Sequence, residues 1–145
     1  MRLKVKIFGE RNTGTNYLAK LIENNFDVEI LKGTISKGSI FTFREWTKDL
    51  FFMLTRRRNL GWKHSFVNRN LVLNYKDKPI IITLTKNPYS FLLSLYKRPY
   101  HYKANKPNTF LDFLRQVWIL TDRDNCKEKI LNSPVDLWNI KNKSY

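Results

Sequence analysis

The chain has 145 residues, enough for one domain with a real core, and its 42% hydrophobic content with five Gly and five Pro excludes a disordered or low-complexity chain. Twenty-seven Lys and Arg against twelve Asp and Glu leave a formal charge of +15, which points to an anionic partner: a phosphorylated nucleotide, nucleic acid or an acidic polymer. A single cysteine, Cys126, excludes an intramolecular disulfide and a multi-cysteine metal site and agrees with a reducing compartment.

Residues 1–6 alternate charge with apolar side chains where a secretory signal needs an unbroken apolar run. No later stretch approaches about eighteen apolar residues, so the expectation is a cytoplasmic protein without membrane contact. Leu3, Val5 and Ile7 alternate with Lys4 and Lys6 at the period of a strand, which ends at Phe8 and Gly9. Leu18, Leu21, Ile22 and Phe26 then fall at helical spacing, so the chain opens as strand, polar loop, helix: the start of a βαβ unit. Residues 27–31 are predicted as a second strand, followed by a loop over 32–40.

Thr42 and Glu45 match a capping box, predicting a helix to about Thr55 with Phe43, Trp46, Leu50, Phe51 and Leu54 on one face. Residues 61–66 read as a short strand or strand end, and 71–75 fit strand or helix. The β-branched run at 80–85 predicts a central parallel strand covered on both faces. Asn87 can cap the next helix, with Pro88 at its first position and Leu92, Leu95 and Tyr96 on its apolar face. After a loop over 98–108, Thr109 opens a helix with Phe110, Phe113, Leu114 and Val117 inside. Ser133 and Pro134 start a last helix that carries Val135, Leu137 and Trp138 and runs to Tyr145.

Residues 9–16, Gly-Glu-Arg-Asn-Thr-Gly-Thr-Asn, have the two glycines of a phosphate-binding loop between a strand and a helix. Main-chain N–H groups of Gly14, Thr15 and Asn16 at the helix start suit an anion, aided by the helix dipole. Where a nucleotide triphosphatase carries Lys, this loop has Thr15, and the magnesium-binding hydroxyl position holds Asn16. The loop therefore suits a donor that reacts without a metal. Its bland alternative is a polar turn with a helix cap.

Residues 11–18 resemble the 5′-phosphosulfate loop of sulfotransferases, usually a Lys-Ser-Gly-Thr-Thr-Trp-type sequence. Lys86-Asn87-Pro88-Tyr89 with Ser94-Leu95-Tyr96 resembles that family's 3′-phosphate motif, an Arg-Asn-Pro strand end and a Ser eight residues later, the same spacing as here. The two motifs stand in the family's order, and Trp62-Lys63-His64 falls between them where members often place a basic His. Residues 133–139 resemble a later segment of carbohydrate-type members.

The resemblance implies a three-layer α/β fold, a central parallel sheet flanked by helices in the P-loop nucleoside-triphosphate-hydrolase-like style, as one domain over 1–145. It implies transfer of a sulfuryl group from 3′-phosphoadenosine 5′-phosphosulfate to a hydroxyl or amine acceptor, a carbohydrate being one such acceptor, with no metal. Arg11, Asn12, Thr13, Gly14, Thr15 and Asn16 would hold the 5′-phosphosulfate, and Lys86 and Ser94 the 3′-phosphate, each charge-assisted bond contributing ~1.5–3 kcal/mol. His64 is the candidate base, since imidazole titrates near neutral pH. The family's loop Lys aligns with Asn12, so Arg11 or Lys63 is expected to stabilise the leaving phosphate. Lys86 keeps the charge of the motif's Arg without its fork. His101, in a Pro- and Tyr-rich loop, is a lesser candidate near the acceptor. Members continue with a further strand and a basic glycine-containing loop over the adenosine, and the domain is expected to lack those C-terminal elements.

Two rival readings stand beside this one. A non-catalytic basic module binding nucleic acid or an acidic polymer is motivated by the charge and the interleaved Tyr, Trp and Arg. A nucleotide kinase or triphosphatase shares the fold but needs the missing Lys and metal ligand.

Overall fold

The alternating stretch near the start forms β1 (Leu3–Gly9) in the computed structural model, which describes residues 2–99 and 107–145. After the glycine-containing loop, α1 (Thr15–Asn25) returns the chain to β2 (Val28–Ile30), parallel to β1 with Ile30 opposite Val5. Next come α2 (Glu45–Asn59), α3 (Arg69–Leu73) and β3 (Ile80–Leu84), which lies parallel to β1 on its other side with Leu84 opposite Gly9. α4 (Pro88–Lys97), α5 (Phe110–Arg115) and the antiparallel pair β4 (Trp118–Ile119) and β5 (Ile130–Leu131) precede α6 (Pro134–Ser144). The protein is α/β: a parallel sheet ordered β2-β1-β3, flanked by helices, with a separate two-stranded ribbon.

The central strand is β1. The β-branched run at 80–85 predicts that place for itself, but it forms β3 at the end of the sheet among the described residues, with Ile80 47% exposed. Its composition reports a good fit to a pleated surface, not a position in the sheet. In β1 the alternating lysines imitate a solvent-facing side, yet Lys6 is fully buried, and its ammonium donates to the main-chain oxygens of Asn59 at 2.5 Å and Gly61 at 2.6 Å. Phe8 packs with Leu31 and Leu60, and Val67, Leu71 and Val72 close around them.

Capping chemistry sets most helix starts where the sequence places them. Asn87 Oδ1 accepts from the Tyr89 amide at 3.1 Å and the Ser90 amide at 3.4 Å, Thr109 Oγ1 from Asp112 at 3.1 Å, and Ser133 Oγ from Asp136 at 3.2 Å. α2 is an exception. Thr42 ends a short 3₁₀ turn, and the helix starts at Glu45 after Arg44, whose amide donates to Thr47 Oγ1 at 3.4 Å. The buried residue of α2 is Phe52, while Phe43 before it is 82% exposed and Trp46 60% exposed. Leu54, Val117 and Phe26 are likewise exposed.

Residues 61–66 form no strand, because their main chain is tied crosswise. Lys63 O accepts from Gly9 N at 3.0 Å, Lys63 N donates to Gly33 O at 3.2 Å and Phe66 N to Asp124 O at 2.8 Å. The open choice at 71–75 falls to helix over most of that stretch, in α3. The larger core lies where α4, α5 and α6 meet, around Phe91, Leu95, Phe113, Trp118 and Leu137. His101 lies outside the described residues. Among those residues no helix is long and apolar enough to cross a membrane.

Candidate anion site at the carboxyl end of the sheet

From β1 the chain steps to β2 on one side and to β3 on the other, so the strand order reverses between β1 and β3. In open α/β sheets, ligand crevices form at such a switch point, beyond the carboxyl ends of the strands. The loop after Gly9 and the one after Leu84 both leave the sheet there, with Gly9 and Leu84 in register.

Both loop glycines answer a steric demand. A Cβ on Gly9 would lie 2.7 Å from Thr15 Cγ2 and 2.9 Å from Thr13 Oγ1, and Gly14 has φ 89° at the N-cap of α1. Having no side chain, Gly14 leaves the first amides of α1 uncapped and turned to the end of the helix. The loop closes on itself as Thr13 Oγ1 donates to Glu10 O at 2.6 Å.

Arg11, Asn12, Gly14, Thr15, Asn16, Lys63 and His64 line one cleft of about 300 Å³. Two stretches some fifty residues apart thus meet, through the bond from Gly9 N to Lys63 O. Lys63 is half-buried and its ammonium donates to Asn16 Oδ1; burial pushes its pKa down. His64 Nδ1 lies 2.5 Å from the main-chain oxygen of Gly9. That contact requires the proton on Nδ1 and leaves the Nε2 lone pair free; among the described residues no group bonds Nε2. Burial lowers His64 to about 3, with Glu10 pulling upward and Arg11 and Lys63 downward, so the ring is neutral at pH 7.

Arg11 departs from its expected part. Its guanidinium is buried, 2.6 Å from Glu10 Oε1 and 3.6 Å from Asp124 Oδ1, and its carbon lies 4.8 Å from the centre of the Trp62 ring. Its charge is already matched by two carboxylates and belongs to the floor of the cleft. Burial would raise the Glu10 carboxyl, but Arg11 and Lys141 outweigh it and hold Glu10 at about 2.

Lys86 and Ser94, eight residues apart, touch: the Lys86 ammonium donates to Ser94 Oγ at 2.7 Å. They stand outside the cleft, on the β3–α4 side. Asn12 Nδ2 reaches Arg98 O at the end of α4 at 3.4 Å, so the loop and the Ser94 helix are joined. Thr13 faces a small cavity shared with Lys86, Trp138 and Lys141. Among the described residues no group of three or more His, Cys, Asp or Glu could hold a metal ion.

Sequence reasoning missed Glu10, Asp124 and Lys141, all buried at this end of the sheet. Lys141 carries a signal that was there to use: with Pro134 and Leu137 it stands on the buried stripe of α6, where a lone lysine demands an acidic partner. Comparisons with protein-family models, curated proteins and solved structures find no match to this chain in any of the three.

Proposed function

We propose that this chain is a sulfotransferase of the three-layer, P-loop-like α/β class, using 3′-phosphoadenosine 5′-phosphosulfate as donor and a hydroxyl or amine as acceptor, a sugar hydroxyl among them. The observation that carries the reading is the meeting of Lys63 and a neutral His64 with the uncapped start of α1 in one cleft at the strand switch point.

The residues present fit the donor's anionic end. The cleft of about 300 Å³ is at the low end for a ligand pocket, a size for a phosphosulfate group and not for a whole nucleotide. The main-chain amides at Gly14, Thr15 and Asn16 supply donors without a side-chain cap, and Lys63 supplies the charge. Lys86 and Ser94, already paired, would take the 3′-phosphate.

The bound donor supplies a sulfuryl group whose bond to the 5′-phosphate oxygen breaks as the acceptor atom bonds to sulfur. His64 Nε2 takes the proton the acceptor gives up. An anion beside the imidazole raises its pKa from about 3 towards the range where a base is effective at neutral pH. Lys63 offsets the charge that collects on the departing phosphate.

Calorimetry with adenosine 3′,5′-bisphosphate, against inorganic phosphate at equal ionic strength, tests the reading. Saturable binding of the bisphosphate, and transfer of labelled sulfate to a panel of sugar and aryl hydroxyls, are expected. Equal, non-saturating heats with both anions would end it.

A second reading, the basic module for nucleic acid or an acidic polymer, draws on α2 and its approach. Phe43 and Trp46 are exposed there, as are Arg44, Arg56, Arg57 and Arg58. A filter assay over a salt series, with affinity falling steeply as salt rises, would favour it.

A further inference from the structure

Lys141 is 1% exposed, deep under the site, and no step of the proposed reaction uses it. Its ammonium lies 3.3 Å from Glu10 Oε2 and 3.7 Å from Asp124 Oδ1, donates to the main-chain oxygen of His64 and sits 4.4 Å from the centre of the Phe66 ring. Arg11 completes the set, so that two cations and two carboxylates alternate: Lys141, Glu10, Arg11, Asp124. Glu10 and Arg11 belong to the loop after β1, Asp124 to the 3₁₀ turn after β4, and Lys141 to α6.

We propose that Lys141 is a positioning residue of the site, setting the distance between the loop that begins at Glu10 and the segment that carries Lys63 and His64. The proposal rests on the proposed function for what the site does, and on the geometry alone for how it is held.

Two contacts of Lys141 fall on the two chain segments that line the cleft: one on Glu10, next to the loop residues, and one on His64. Glu10 follows directly on Gly9, whose amide bonds Lys63 O and whose oxygen receives His64 Nδ1–H. Lys141 also holds the carbonyl of His64 itself. One ammonium therefore ties both ends of the short link between Gly9 and His64, and a methylene stem in its place could reach neither oxygen. The alternation of charge makes the burial tolerable, because each ion has opposite charges on two sides.

Lys141→Met leaves Glu10 short of a cation and is expected to lower stability, so by itself it does not separate positioning from folding. The charge-balanced double variant Glu10→Gln with Lys141→Met keeps the Arg11–Asp124 pair and removes one charge of each sign. It is expected to fold, by circular dichroism and a cooperative urea transition, and still to lose the hold on the His64 carbonyl. The readout is the imidazole ¹⁵N spectrum of His64 at pH 7. The wild type should show a single neutral tautomer with the proton on Nδ1; the double variant should show averaged nitrogen shifts from two tautomers, with affinity for adenosine 3′,5′-bisphosphate lowered about 10-fold or more.

A folded double variant with the wild-type His64 spectrum overturns the proposal, as does one that fails to fold while Lys141→Met folds with that spectrum unchanged. If the wild type itself does not bind the bisphosphate, the sulfotransferase reading falls, and the tautomer result still decides the part Lys141 plays.

Discussion

The Ser94 hydroxyl is shared between two partners: it accepts from the Lys86 ammonium at 2.7 Å and donates to the Ser90 carbonyl one turn back at 2.7 Å. The back-bond fixes the hydroxyl's proton and turns its lone pairs towards β3, where Lys86 ends the strand's exit.

A phosphate bound here would take its charge from Lys86, and a bond from Ser94 once the hydroxyl turns its one proton away from the Ser90 carbonyl. Ser94→Ala is expected to weaken adenosine 3′,5′-bisphosphate about 10-fold, for one charge-assisted bond of ~1.5 kcal/mol, and to leave adenosine 5′-monophosphate unaffected. Calorimetric titration of both nucleotides against wild type and variant reads the difference. Equal losses for the two would place the 3′-phosphate elsewhere.

The two loop glycines should fail in different ways. Gly9→Ala forces a Cβ to within 2.7 Å of Thr15 Cγ2 and 3.0 Å of Leu84 Cβ, so the loop must move, at ~1–3 kcal/mol of stability. Gly14→Ala meets nothing closer than Leu84 Cδ2 at 3.9 Å; its penalty is the left-handed φ of 89°, about 1–2 kcal/mol. Urea melts should thus show both variants folded but weakened. ¹H–¹⁵N spectra should show shifts spreading to Thr13 and Leu84 in the first and confined to the start of α1 in the second.

Much of this was legible in the residues. β1, the glycine loop, α1 and the capped starts of α4, α5 and α6 follow from local chemistry, and local chemistry decided them. The grouping of Lys63 and His64 with the loop, and of Lys86 with Ser94, was implied by the resemblance to sulfotransferases alone, and each group does meet in space. What failed depends on which surface gets covered. Phe43 and Trp46 stand at core spacing without a core to meet, the run at 80–85 became an end strand, and Lys6 reads as solvent-facing although it is buried against two carbonyls. The ribbon of β4 and β5, two residues in each strand, is too short to leave a periodic signal. Arg11 reads as open to a ligand for the same reason that Lys6 reads as solvent-facing: a sequence does not say whether a cation's partners are already inside the protein.

Lys6 gives a pH test. Burial, and then the nearby charge of Lys63, lower it to about 7, while in the unfolded chain a lysine keeps ~10.4. Between those values the unfolded state binds more protons, so the Lys6 contribution to stability rises with pH, at up to ~1.4 kcal/mol per pH unit. Below pH 7 both states are protonated and the contribution is flat. Urea melts of wild type and Lys6→Met from pH 6 to 9.5 should show the wild type gaining on the variant only above pH 7. A constant gap across the range would mean that Lys6 keeps its proton when buried.

Lys63 and Arg11 both line the cleft, yet their charges are differently engaged, and the two variants should separate binding from folding. Arg11 faces Glu10 at 2.6 Å and Asp124 at 3.6 Å, so Arg11→Met leaves two buried carboxylates with one fewer cation and should cost about 3–5 kcal/mol of stability. Lys63 is bonded to the uncharged side chain of Asn16 and pairs with no carboxylate among the described residues. Lys63→Met should therefore leave the urea midpoint nearly unchanged and lower affinity for adenosine 3′,5′-bisphosphate by about 10- to 100-fold, the equivalent of one strong charge-assisted bond. Wild-type affinity in a folded Lys63→Met protein would remove Lys63 from the anion site. The charge facing the ligand would then have to come from elsewhere than this cleft, since the burial of Arg11 between two acids leaves it little to offer an incoming anion.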